Sequence, residues 1–99
     1  MKLAFIVSSE FVMPQVMDLL RASRIDYYTR WDHAQGKGHG TDPHLGTGSY
    51  GCTNSVLMIA FEEPNPLETL IENIAELNAK SSRKDDYVRL FQMPLERIV

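Results

Sequence analysis

This sequence has almost no cysteine, no excess of basic charge and no long hydrophobic run. Its single cysteine, Cys52, cannot form a disulfide within the chain, which fits a reducing compartment. Ten lysine and arginine residues against thirteen acidic ones give a formal net charge of −3, and this balance argues against a nucleic-acid-binding module. The apolar stretch Leu3–Val7 is too short for a signal peptide or a membrane span. We therefore expect a cytoplasmic protein without membrane insertion.

Glycine and histidine are missing from most of the chain and concentrated in its middle. All six glycines and all three histidines lie between residues 33 and 51. The flanks on either side carry the patterned apolar residues of a globular domain. The composition predicts one domain over residues 1–99, interrupted by a long glycine-rich loop over 33–54. Loops of this length in compact domains are usually functional or disordered.

Four segments have the composition of β-strands. Two of them are continuous apolar runs, and two are rich in β-branched and aromatic residues. In chain order they are Leu3–Val7, Ile25–Trp31, Val56–Phe61 and Tyr87–Met93.

Two further segments have the periodicity of amphipathic helices. The first carries Pro14 in its first turn, followed by apolar residues at 16, 19 and 20. The second begins with Asn65 as N-cap and Pro66 at the first helical position, and its apolar stripe covers 67–77. The order of elements predicts an α+β, ferredoxin-like βαββαβ fold, a two-layer sandwich with a four-stranded antiparallel sheet.

Helices in this arrangement cover only one face of the sheet. A sheet with one solvated face alternates apolar and polar residues, yet the first and third strands are apolar at every position. Because the chain has no spare element for the second face, we expect another copy of the chain to cover it. The sequence thus predicts an oligomer with its sheets packed inward.

The order of elements, the long loop and the C-terminal run Met93–Val99 (MPLERIV) together resemble the PII signalling family. Members of that family commonly follow their fourth strand with a Pro-x-Glu-Arg-Val segment. The loop entry Gln35–His39 (QGKGH) is similar to the Gly-Arg-Gln-Lys-Gly-His stretch that opens the family's T-loop. The resemblance implies a non-enzymatic homotrimer that binds adenine nucleotides in clefts between subunits. It also implies that the loop regulates a partner protein, such as a membrane transporter.

Two short segments supply candidate ligand-binding residues. The glycine amides and the cation at the loop entry could surround a phosphate. The turn after the second helix occupies the place of the family's phosphate-binding Gly-Asp-Gly-Lys turn, but it contains no glycine here. The simpler interpretations are a flexible loop and a solvated turn. The candidates are Gly36, Lys37, Gly38 and His39 at the loop entry, and Arg83 and Lys84 in the turn.

A competing hypothesis is that the loop binds a transition metal, zinc or copper. Imidazole and thiolate groups are the usual ligands of these metals. The candidate ligands are His33, His39, His44 and Cys52, whose spacings of six, five and eight residues match no standard zinc motif. Since some divergent PII-like proteins are associated with heavy-metal efflux, this hypothesis predicts a metal sensor or accessory protein. The simpler interpretation is a polar, pH-sensitive loop.

No catalytic motif emerges from the sequence. Acylphosphatase, an enzyme of similar length and element order, has an arginine in a glycine-rich loop after its first strand. Metal chaperones of this fold carry a Cys-x-x-Cys pair there, whereas this chain has Ser8–Phe11. We therefore expect no catalytic residues and no enzyme.

Overall fold

The computed structural model describes residues 1–37 and 53–99, in which strands and helices alternate as β-α-β and β-α-β. A short 3-10 helix, Lys84–Asp86, connects the second helix to the last strand. The strands are β1 (Lys2–Ser9), β2 (Thr29–Ala34), β3 (Asn54–Phe61) and β4 (Arg89–Pro94), and the helices are α1 (Met13–Ala22) and α2 (Pro64–Lys80).

The strands form one antiparallel sheet in the order β2-β3-β1-β4. β1 is central: Ser9 lies opposite Asn54 of β3, and Val7 lies opposite Arg89 of β4. β2 pairs with β3 only and is therefore an edge strand, like β4. The predicted α+β fold with a four-stranded antiparallel sheet is confirmed.

The hydrophobic core lies between the two helices and one face of the sheet. Each helix contributes the stripe expected from its periodicity, and the central strands contribute alternate residues. The members are Met13, Val16 and Leu20 of α1, Leu67, Leu70 and Ile74 of α2, and Ala4, Ile6, Leu57, Ile59 and Phe61 of the strands, with Ile25 and Val88 beside them.

Some predicted boundaries are wrong. β2 begins at Thr29 and not at Ile25. The apolar side chain of Ile25 is buried in the hydrophobic core, but its backbone lies outside the strand. Asn65 is not the N-cap of α2, which begins at Pro64 after an extended Glu63. A proline suits the first helical position because no backbone N–H is needed there. β4 begins at Arg89, two residues later than predicted.

The second face of the sheet is apolar and lies open in the single chain. By alternation, this open face carries half-buried residues of β1 and β3, such as Phe5 and Met58, which lie opposite each other. Towards the edges, Trp31 and Phe91 on the same face are 48% and 55% exposed. Contiguous exposed apolar patches on a soluble protein commonly mark interaction surfaces. The oligomer itself stays a prediction.

Candidate ligand site at the base of the long loop

The loop predicted over 33–54 leaves the sheet from two neighbouring strands. β2 extends to Ala34, β3 begins at Asn54, and these two residues lie opposite each other. The C-terminal end of β1 is adjacent, because Ser9 also lies opposite Asn54. The base of the loop is therefore held at one end of the sheet by three strands.

Glu10, directly after β1, binds both sides of this base. Its Oε1 accepts hydrogen bonds from Thr53 Oγ1 at 2.7 Å and from the backbone N–H of His33 at 2.7 Å. His33 Nδ1 lies 2.9 Å from the same oxygen, and the backbone N–H of Glu10 donates to the carbonyl of Thr53 at 3.0 Å. The hydrogen bond from Thr53, followed by that from the His33 backbone, lowers the pKa of Glu10.

His33 is the irregular position of β2. Its φ of 60° is in the left-handed region, and the pairing register of β2 with β3 shifts between Trp31 and Ala34. A residue with a side chain pays on the order of 1–2 kcal/mol for this conformation. The hydrogen bond from its backbone N–H to Glu10 stabilises the irregular geometry, so the path of the chain towards the loop depends on that carboxylate.

Asp32 makes a second link between β2 and β3. Its Oδ1 accepts hydrogen bonds from Ser55 Oγ at 2.6 Å and from Arg30 Nε at 2.8 Å. These two bonds, that from Ser55 first, lower the pKa of Asp32. Because Ser55 is fully buried, the carboxylate provides the hydrogen-bond partner that a buried hydroxyl needs.

The interior of this end of the sheet is polar. Ser8, Ser9, Asn54 and Ser55 are the buried polar residues of the described chain. The Ser8 hydroxyl donates to the Ser9 carbonyl at 3.2 Å. In contrast, Ser9 Oγ has no hydrogen-bond partner within the described residues, although Ser9 is only 2% exposed. Because a buried unpaired polar group is destabilising, this hydroxyl is a candidate contact for a bound molecule.

Gly36 packs directly against Asn54. A Cβ at position 36 would lie 2.4 Å from Asn54 Nδ2, closer than real Cβ contacts allow. The position therefore accepts only glycine unless the asparagine side chain moves. Lys37 follows and is exposed, while the other two predicted loop-entry residues, Gly38 and His39, lie outside the described residues.

The other predicted ligand residues, Arg83 and Lys84, lie at the turn before β4. The guanidinium of Arg83 is 3.3 Å from Asp85, and its backbone carbonyl accepts a hydrogen bond from Ser81 Oγ at 3.0 Å. Lys84 is exposed at the start of the 3-10 helix. The acidic neighbour of Arg83 thus partly balances the positive charge predicted for this turn.

The two halves of the predicted site share one end of the sheet but lie at opposite edges. Lys37 follows β2, the strand at one edge, and Arg83 precedes β4, the strand at the other. Three strand spacings, roughly 14 Å, separate these edges. The structure of one chain therefore does not bring Gly36 and Lys37 together with Arg83 and Lys84.

The predicted metal ligands are outside the described residues apart from His33. That histidine contacts Glu10, and no group of three histidine, cysteine or acidic side chains able to hold a metal ion occurs within 1–37 and 53–99. His39, His44 and Cys52 lie outside these ranges. The metal hypothesis stays an untested prediction. Neither described helix is long and apolar enough to cross a membrane.

Comparison with known proteins finds similarity in structure alone. No protein-family model matches the chain, and no curated protein matches it. A solved structure of CPII from Thiomonas intermedia K12, bound to ADP and bicarbonate, has a TM-score of 0.67 and 18% identity, covering 97% of this chain and 88% of that one. A second structure, of CPII described as a nitrogen regulatory PII-like protein from the same organism and bound to ADP, AMP and bicarbonate, has a TM-score of 0.59 and 19% identity, covering 99% and 94%. The structural neighbours are thus PII-like proteins, and the predicted likeness is confirmed in the fold.

The residues that organise the base of the loop, Glu10, Asp32, Thr53 and Ser55, belong to no sequence motif and were not predicted. Ser8, Ser9 and Glu10 end the apolar run of β1, but polar residues at the end of a strand are common and indicate no particular contact. Their partners could not be deduced, because the hydrogen bonds join residues 23 and 43 positions apart.

Proposed function

We propose that this chain is a PII-like signalling protein, a single domain over residues 1–99 without enzymatic activity. It assembles as a homotrimer, senses an adenine nucleotide at a cleft between subunits and regulates a partner protein through the 33–54 loop. The observation that carries this proposal is the structural match of 97% of the chain to CPII in a structure with bound ADP and bicarbonate.

The open face of the sheet supports the homotrimer. Its central residues are apolar and half-buried, and its outer residues Trp31 and Phe91 are about half exposed. A second and third copy packed against this face would remove the apolar surface from water, which is the dominant favourable term in association. No element within the described residues covers the face.

The positions of the candidate ligand residues support a cleft between subunits. Gly36 and Lys37 lie beside one edge of the sheet, and Arg83 and Lys84 lie beside the other, at the same end. In a ring of copies, opposite edges of neighbouring sheets approach each other. A phosphate between them would be bound by the loop entry (Gly36 to His39) of one copy and the turn of the next.

Regulation through the loop follows from its attachment. Gly36 and Lys37 follow the end of β2 closely, so a ligand bound to them contacts the segment through which the chain enters the loop. A ligand that favours one arrangement of these residues shifts the population of loop conformers, and a partner protein recognises one of them. A membrane transporter is one class of partner that fits this proposal.

The first test is calorimetric titration of the chelator-treated protein with ADP, AMP and ATP, each with and without bicarbonate. We expect saturable binding of at least one nucleotide at one site per subunit, and a mass by light scattering of three times 11.3 kDa. Absence of heat with all three nucleotides in both buffers would contradict the proposed ligand. A monomeric mass would contradict the proposed assembly.

The second test asks whether each site uses two copies. Lys37→Gln and Arg83→Gln should each weaken nucleotide binding, because each removes one cation from the phosphate, whereas Lys80→Gln on the exposed surface of α2 should not. Mixing and reassembling the two defective proteins should restore clefts that combine an intact Lys37 with an intact Arg83. If the mixture binds no better than either variant alone, the site lies within one subunit.

A further inference from the structure

Glu10 belongs to none of the segments proposed to contact the ligand, yet it joins both sides of the loop base. We propose that Glu10 is a positioning residue for the ligand site: its carboxylate fixes the end of β2 so that Gly36 and Lys37 lie where a nucleotide phosphate can bind. This inference rests on the proposed function, because it assigns a role in that same site.

The geometry of the contacts carries the argument. A single oxygen, Oε1, receives the His33 backbone N–H, the His33 ring and the Thr53 hydroxyl at 2.7, 2.9 and 2.7 Å. His33 lies at the start of the 33–54 loop and Thr53 lies near its end, whereas Glu10 directly follows the central strand β1. The carboxylate therefore ties both loop ends to the most extensively paired strand of the sheet.

The link from Glu10 to the ligand residues is short. Gly36 is three residues beyond His33, and it packs against Asn54, the neighbour of Thr53 in the chain. Both sides of this contact thus depend on residues held by Glu10. When the carboxylate is removed, the left-handed backbone of His33 loses its hydrogen-bond partner, and the irregular end of β2 can relax.

The same contacts lie outside the hydrophobic core. The side chain of Glu10 is one-third exposed and that of His33 is 83% exposed, and neither belongs to the core cluster. Removing the carboxylate should therefore leave the fold intact while changing the path of the chain towards Gly36. This separation distinguishes a positioning role from general support of the fold.

The experiment compares Glu10→Ala, Glu10→Gln and the control Glu68→Ala, which alters an exposed residue of α2. ADP affinity is measured by calorimetry under conditions where urea unfolding shows every variant to be folded. We expect Glu10→Ala to lower ADP affinity on the order of tenfold, the effect of losing charged hydrogen bonds that hold the site. Glu10→Gln keeps a carbonyl oxygen that accepts from His33 and Thr53, so it should recover most of the affinity.

A second readout reports on the end of β2 directly. Trp31, the only tryptophan, lies two residues before His33 and is 48% exposed. Its fluorescence emission should shift in Glu10→Ala and return in Glu10→Gln, a change that a loss of global stability alone would not produce in folded protein. Equal ADP affinity of wild type and Glu10→Ala would overturn the inference and leave the proposed function standing. Failure of the wild type to bind any of ADP, AMP and ATP would overturn both.

Discussion

If the proposed homotrimer forms through the open face of the sheet, truncation of Phe91 should weaken it without unfolding the subunit. Phe91 lies on the open face of the sheet opposite Phe5, is 55% exposed and is not part of the hydrophobic core. A phenylalanine buries about 200 Å² when fully covered, so contact with a neighbouring copy would remove about 110 Å² from water. At about 25 cal/mol per Å², this burial stabilises the assembly by about 2.8 kcal/mol per subunit.

The alanine in Phe91→Ala keeps the Cβ, so the loss is about 2 kcal/mol per subunit and about 6 kcal/mol per trimer. Each 1.4 kcal/mol is a factor of ten, so the overall dissociation constant rises by about four orders of magnitude. Because the midpoint concentration of a monomer–trimer equilibrium varies as the square root of that constant, it should rise about a hundredfold.

The assay is sedimentation or light scattering over a dilution series, with circular dichroism to establish that the subunit stays folded. Phe11→Ala is the matched control, because Phe11 is 73% exposed and lies between β1 and α1, away from the open face. If Phe91→Ala and Phe11→Ala dissociate at the same concentration as the wild type, the open face is not the subunit interface.

Two further predictions concern the base of the loop. Gly36→Ala should lower the free energy of unfolding in urea by about 1 kcal/mol, because its Cβ would displace the side-chain amide of Asn54, and it should cost less in an Asn54→Ala background, where that amide is absent. Equal stability of the single variant and the wild type would refute this reasoning. The folded state lowers the pKa values of Glu10 and Asp32. Their contribution to the free energy of unfolding is therefore complete above the pKa values of the unfolded chain, and it is lost as the pH falls through the lower pKa values of the folded protein. The free energy of unfolding of the wild type should therefore fall with acid below about pH 4.5, and the slope should be smaller in Glu10→Gln/Asp32→Asn. Identical slopes would show that neither carboxylate is linked to folding.

The starts of β2 and α2 show that local sequence patterns are not sufficient to predict where an element begins. Ile25 has the side chain of a strand residue and Asn65 that of an N-cap, yet neither takes that role. Ile25 is buried in the hydrophobic core outside any strand, and α2 begins at Pro64, two residues earlier than the Asn65 cap predicts. In both cases a neighbouring feature of the chain outweighed the preference of a single residue.

The types and order of the elements were determined by the sequence itself. Continuous apolar strands and helical stripes are encoded within each segment, so the α+β sheet with two helices on one face, and an apolar second face, followed from periodicity alone. The organisation of the loop base was decided only by the tertiary structure. Pairing of β1, β2 and β3 brings Glu10, His33 and Thr53 together from distant parts of the chain, and no local pattern specifies which donors one carboxylate will receive.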